Sequence, residues 1–298
     1  MFRRHCIVLS LILLGRTVIA QDYQAEFRQS FQSNDTAKQR QVLQLWTASD
    51  PKNPELFTSY FNFYFQKAKK ENITLTPTQP NGESLTFQDS TGKKAFIGSQ
   101  KTYDALILEK GFAKIDEGIR LYPNRLDMRF GKTYVLGQLM EWQRFTDEIL
   151  GSIHYSATNN NAWTWTNNEK KTDGRKFFLS SLQGYQSTLY DQQDDKLLPY
   201  MRTIAEEVLK LYPDDVESLS NLSITYLLTN EYDKAIGFLE KAEKVSPKDP
   251  VVLGNIAHAY KSKGNKTNAI KYYEKMVKLE DQEAVAFAKQ QLDELRKK

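Results

Sequence analysis

The chain has 298 residues, 40% of them hydrophobic and 26% charged, with a formal net charge of +4. That length suits one large or two modest domains. Residues 1–20 hold three arginines and no acid, so without them the charge falls from +4 to +1 and no nucleic-acid partner is expected.

Residues 1–20 carry Arg3 and Arg4, an apolar run over residues 7–14, and the small or aliphatic ending Val18-Ile19-Ala20. This is the pattern of a secretory signal peptide, and it predicts cleavage after Ala20. The protein would then be exported to the periplasm or the cell surface, or secreted. The run is too short to cross a bilayer, so no integral membrane segment is expected after cleavage. Arg16, close to the cleavage point, leaves an uncleaved anchor as the alternative. The single cysteine, Cys6, precedes the apolar run, whereas a lipoprotein signal places it at the end. The remainder therefore has no disulfide and no cysteine metal site. Four Asn-x-Ser/Thr sequons start at Asn34, Asn72, Asn221 and Asn265; Asn221 sits beside apolar Leu222, where a glycan would disturb packing, so a bacterial envelope compartment is favoured.

Residues 21–211 read as irregular helical hairpins. Val42, Leu43 and Trp46 mark a helix closed by Asp50-Pro51, and Phe57, Tyr60, Phe61 and Tyr64 follow at helical spacing. Its partner is expected over residues 99–121, carrying Ile115 and Ile119 and closed by Pro123. Between them lies an insertion at 71–98, where Pro77, Pro80, Asn81-Gly82 and Thr91-Gly92 break any helix. Residues 84–87 and 94–97 suit a small β-hairpin around 89–92. A further pair carries Phe130-Gly131-Lys132-Thr133-Tyr134, then Phe145, Ile149 and Ile153. A second, polar insertion at 156–174 leads to Phe178, Leu182, Tyr185 and Leu189, and then to Ile204, Val208 and Leu211. The phrase Leu121-Tyr122-Pro123 returns as Leu211-Tyr212-Pro213.

Residues 212–281 are regular. At an offset of 34, Leu219 falls on Leu253, Leu222 on Ile256, Ser223 on Ala257, Tyr226 on Tyr260, Ala235 on Ala269 and Leu239 on Tyr273. Asp215 and Asp249 suit helix N-caps, Pro250 a first helical position, and Asn230 and Gly264 a left-handed turn. Small Ser223, Ala257, Ala235 and Ala269 let two helices approach closely, with Tyr226 and Tyr260 filling the space beside them. Residues 282–298 place Val285, Ala288, Leu292 and Leu295 on one helical face and charge elsewhere, as a terminal cap requires.

Over residues 214–281 this pattern resembles the tetratricopeptide repeat. Counting from Val216 and Pro250, the family's small residue at position 8 is Ser223 or Ala257, its aromatic at 11 is Tyr226 or Tyr260, and its alanine at 20 is Ala235 or Ala269. Its tryptophan at position 4 is leucine in both copies, and its proline at 32 is Pro247 in one and Asp281 in the other. The resemblance implies an all-α, right-handed α-solenoid of about five hairpins with a C-terminal cap helix and the small β-hairpin insertion. It also implies a non-catalytic scaffold that holds a peptide or protein partner in a concave groove. Family asparagines at position 6 bond the backbone of an extended peptide; here they are Asn221 and Asn255. The neighbouring groove positions would be Ile224, Leu228, His258 and Lys261, half apolar and half basic, which suits an amphipathic or acidic peptide.

No metal-ligand spacing, phosphate-binding loop or nucleophile elbow occurs, so no catalytic residue, metal or cofactor is expected. The alternative site is the loop holding Tyr155, Trp163 and Trp165. Its aromatic faces and asparagines would suit a glycan or small ligand, unless the tryptophans fold back to plug the solenoid.

Overall fold

The computed structural model describes residues 22–79 and 84–297. The leader, residues 1–20, lies outside the described residues. Among the described residues thirteen helices follow one another, paired as antiparallel hairpins: α1 (Tyr23–Gln32) with α2 (Thr36–Ser49), α3 (Pro54–Ala68) with α4 (Ala105–Leu121), and α5 (Leu126–Gln138) with α6 (Trp142–Thr158). Then come α7 (Gly174–Tyr190) with α8 (Leu198–Leu211), α9 (Val216–Leu228) with α10 (Tyr232–Val245), α11 (Pro250–Ser262) with α12 (Lys266–Met276), and the cap α13 (Gln282–Lys297). The stack thus has six hairpins where about five were expected. The addition is α1, which buries only Phe27 and Ser30 and starts on the Asp22 carboxylate, an acceptor for the Ala25 N–H.

Cap chemistry sets the helix starts. Asp35, Asp104, Asp173, Asp215 and Asp249 each accept a backbone N–H of the following turn, satisfying donors that would otherwise be orphaned. The turn inside a hairpin needs one residue at positive φ. Asn34, Met140, Gln193, Asn230 and Gly264 supply it between α1/α2, α5/α6, α7/α8, α9/α10 and α11/α12. Asn and Gly do so at little cost, whereas Met140 and Gln193 are strained there.

Three contiguous cores run along the stack. One joins α1, α2 and α3 through Phe27, Val42, Leu43, Trp46 and Phe63. The largest runs from Phe61 to Tyr212, and the third fills the last two hairpins and the cap, from Leu219 to Leu292. Helix α4 lies close against α3 because Gly118 has no side chain: a Cβ there would sit 2.8 Å from the Cβ of Phe57. In the regular half, the contact itself repeats at 34 residues. Tyr226 stacks on Phe238 with centroids 5.7 Å apart, and Tyr260 on Tyr272 at 5.8 Å.

In the first insertion the expected hairpin of residues 84–87 with 94–97 is present, joined by a strand that was not expected. The insertion is a three-stranded antiparallel sheet in the order β1-β3-β2, made of β1 (Lys69–Thr76), β2 (Ser84–Gln88) and β3 (Lys94–Tyr103). Strand β1 continues directly from α3 and pairs with β3 from Lys69↔Tyr103 to Thr76↔Phe96. Residues 99–103 are therefore strand, and α4 begins at Ala105 rather than 99, behind the Asp104 cap. In the second insertion α6 continues through Thr158, and a two-stranded ribbon, β4 (Thr164–Trp165) with β5 (Glu169–Lys170), brackets a tight turn over residues 166–168, where Asn167 and Asn168 take positive φ. Ile204 and Val208 lie on the inner face of α8 as expected, with Met201 and Ala205, whereas Leu211 is exposed.

Candidate functional site

The first helices of successive hairpins lie side by side, α1 against α3 and α7 against α9 against α11. Of the residues expected to line this row in the regular half, Asn221 is buried and its amide Nδ2 donates to Gln183 Oε1 of α7 at 2.5 Å. It serves as a strut between hairpins. Ile224 is half-buried and Leu228 is exposed. In the next hairpin Asn255 is half-buried and His258 is exposed, while Lys261 Nζ donates to Gln291 Oε1 at 2.7 Å and to Glu294 Oε2 at 3.2 Å. The cap helix α13 thus occupies the Lys261 ammonium. Asn255 and His258 keep their polar ends accessible; Asn221 and Lys261 are committed to neighbouring helices.

A cleft lies on the same row, in the irregular half. A cavity of about 280 Å³ opens between α1, α3 and α5, with Phe27, Phe31 and Phe61 among its walls and Glu55 and Asp127 on its floor. At Gly131 of α5 an added Cβ would meet nothing within 4 Å, so the cleft widens there. The side chains of Gln24, Arg28 and Asn62 also line it, and none forms a hydrogen bond or ion pair among the described residues.

A buried ion cluster builds the floor. Arg125, whose side chain is 1% exposed, donates from Nη1 and Nη2 to both oxygens of Glu55 at 2.7 and 3.1 Å, and from Nε and Nη2 to both oxygens of Asp127 at 2.8 Å. Burial pulls the guanidinium pKa down, but the hydrogen bonds and charges of Asp127 and Glu55 outweigh it and hold it above its ordinary value. Two carboxylates face one guanidinium, so the cluster carries an excess negative charge. The second insertion supplies two further donors: the Asn167 N–H to Glu55 Oε1 at 2.8 Å and the Thr166 hydroxyl to Asp127 Oδ2 at 3.2 Å. The cluster therefore ties α3, α5 and the 164–168 segment into one wall.

The aromatic loop packs inward. Trp163 is 1% exposed and sits 5.3 Å from Phe178 and 5.7 Å from Tyr155 between ring centroids. Trp165 lies edge-on to Phe130 and Phe177, and Tyr155 is covered by the guanidinium of Arg129 at 4.7 Å. Burial lowers the Arg129 pKa. Trp163 has no free face for a glycan; it fills the gap between α6 and α7, as the plug alternative requires.

Sequence reasoning missed Gln24, Arg28, Glu55, Asn62, Arg125 and Asp127. The only local signal was Arg125-Leu126-Asp127 just after a helix-closing proline. The other partner of Arg125, Glu55, lies 70 residues away in sequence. Among the described residues no group of three or more His, Cys, Asp or Glu could hold a metal ion, and no helix is long and apolar enough to cross a membrane.

Residues 218–251 and 251–283 match family models of the tetratricopeptide repeat. No curated protein matches the chain. Solved structures that resemble it include YrrB, described as a TPR protein with an unusual peptide-binding site, at 16% identity and TM-score 0.38, covering 61% of this chain and 83% of YrrB. PilF of Pseudomonas aeruginosa gives 17% and 0.38, covering 63% and 83%; MamA of Desulfovibrio magneticus gives 16% and 0.35, covering 62% and 87%. At those scores the likenesses carry no functional weight. The repeat assignment rests on the two matched segments and on the helix pairs themselves.

Proposed function

We propose that the protein is an exported, non-catalytic scaffold that holds an extended peptide or a protein partner along its row of first helices. The observation that carries this reading is the cleft between α1, α3 and α5, with aromatic walls and three unpaired polar side chains, Gln24, Arg28 and Asn62. Tetratricopeptide repeats typically serve as protein-interaction scaffolds. A stack of packed hairpins presents such a surface preformed, so binding does not have to pay for ordering it. Free amides suit the alternating N–H and C=O groups of an extended chain, and phenylalanine walls suit its apolar side chains. Asn255 and His258 extend the accessible polar surface in the regular half. Export to the periplasm or cell surface rests on the leader pattern alone.

The test is affinity capture from the native envelope, followed by titration of the captured partner. Asn62→Ala with Arg28→Ala is expected to weaken binding about tenfold or more, with little effect from Trp163→Phe. Undiminished capture by the double variant would remove the cleft from the reading. Sequencing of the isolated protein's N-terminus is expected to begin at Gln21; an intact Met1 would replace export by cleavage with an anchor.

A further inference from the structure

Four exposed large apolar side chains fall on the sheet inserted between α3 and α4. In its register Leu75 and Leu85 both lie opposite Ile97, Phe87 lies opposite Ala95, and Ile73 lies opposite Ser99. Paired residues, and alternate residues along a strand, share a face. Ile73, Leu75, Leu85 and Phe87 therefore form one continuous face around Ile97. Their exposures are 82%, 67%, 66% and 51%, and no helix among the described residues covers them. A soluble surface scatters such side chains; a contiguous set marks an interaction.

Charge completes the pattern. Leu75, Phe87 and Ala95 line an open depression of about 440 Å³ together with Lys93 and Lys94 at the sheet tip. Neither lysine has an ion pair among the described residues. The nearby carboxylate, Asp89, is turned into its own turn, accepting the Thr91 N–H and hydroxyl and the Lys93 N–H. Over residues 69–103 the sequence has five lysines against three acids.

We propose that this face is a docking surface for the interfacial zone of an anionic phospholipid bilayer. Its apolar side chains enter among the upper acyl chains while Lys93, which alternates with Ala95 and Ile97 at the sheet tip, meets headgroup phosphates, with Lys94 beside it on the opposite face of the strand. The projecting side chains favour a bilayer over a folded partner: a fluid interface accepts them without a matching surface, whereas a protein would need complementary shape. The inference is independent of the cleft.

The full chain is mixed with vesicles of phosphatidylcholine alone, or with roughly one-third phosphatidylglycerol, and followed by sedimentation and hydrogen exchange. Anionic vesicles are expected to protect residues 73–76, 85–88 and 94–97, and to lose that protection as salt rises from about 0.1 to 0.5 M. Leu75→Ser/Leu85→Ser/Phe87→Ser is expected to abolish the protection with an unchanged circular dichroism spectrum. Lys93→Glu/Lys94→Glu is expected to weaken binding about tenfold or more. The proposal is overturned if exchange over the sheet is unchanged while vesicles still sediment the chain, because residues 1–20 would then carry the binding. It is equally overturned by a concentration-dependent dimer that the triple serine variant dissociates without vesicles, which would assign the face to a second copy.

Discussion

Arg125→Ala isolates the cluster beneath the cleft. The substitution leaves Glu55 and Asp127, whose side chains are 8% and 11% exposed, without a counter-ion. Each keeps one donor outside the cluster, Asn167 N–H or Thr166 hydroxyl. Breaking a buried pair by removing one partner costs about 3–5 kcal/mol. Replacing all three residues, as Glu55→Leu/Arg125→Met/Asp127→Leu, is expected to recover most of the loss, since no charge is then buried. Stacked hairpins unfold in segments, so the assay is urea unfolding followed by hydrogen exchange. The loss should fall on α3, α5 and residues 162–171 and spare 218–283. A variant within about 1 kcal/mol of the wild type at pH 7, or a loss spread evenly over the repeats, would refute the reasoning.

Trp163→Ala is expected to cost about 3–5 kcal/mol. Trp163→Phe should cost much less, because the indole Nε1 has no partner among the described residues and its removal deletes an unsatisfied donor; equal shifts in urea midpoint would count against the plug. Met140→Gly relieves a methionine held at φ 56° and is expected to stabilise by about 1 kcal/mol or slightly less, read as a higher denaturation midpoint. The Asp89 carboxyl is held below its ordinary value of 3.8, chiefly by the Thr91 hydroxyl and then by the Lys93 N–H. Its hold on the turn is thus complete above that value and fades as pH falls through the lower folded one. Amide exchange at Thr91 and Lys93 should accelerate over that acidic window; a flat profile would deny the carboxylate its role.

How much of this was legible depended on whether the constraint was local. The regular half could be read because each structural need recurs at a fixed offset. Ser223, Ala235, Ala257 and Ala269 are all fully buried, and the caps at Asp215 and Asp249 and the turns at Asn230 and Gly264 stand where their residue types place them. The turn at Met140 was hidden because a methionine does not advertise a left-handed backbone. Strand β1 was hidden because its first residues, Lys69-Lys70-Glu71, give no apolar alternation; it forms because β3 offers an edge to pair with. At the candidate site the limit was distance along the chain. Asn221 and Lys261 were placed on the correct helices, but their engagement by Gln183, Gln291 and Glu294 depends on packing between hairpins. The Arg125 cluster joins residues from three separate elements, which no spacing rule encodes.

The irregular half concentrates its departures on one helix. Helix α3 supplies Glu55 to the buried cluster, Ser59, Phe61 and Asn62 to the cleft, and its own C-terminus to strand β1. The two insertions therefore act on opposite ends of a single structural element. One reaches α3 near its start through the Asn167 N–H, and the other continues it outward as the sheet. A ligand in the cleft would press on Phe61 and Asn62, midway between these ends. The two regular repeats share their packing positions but not their groove residues, Ile224 and Leu228 of one standing where His258 and Ser262 stand in the other. Under the proposed reading, a partner bound at the wall where α1, α3, α5 and the 164–168 segment meet would leave the sheet's apolar face free for a second, simultaneous contact.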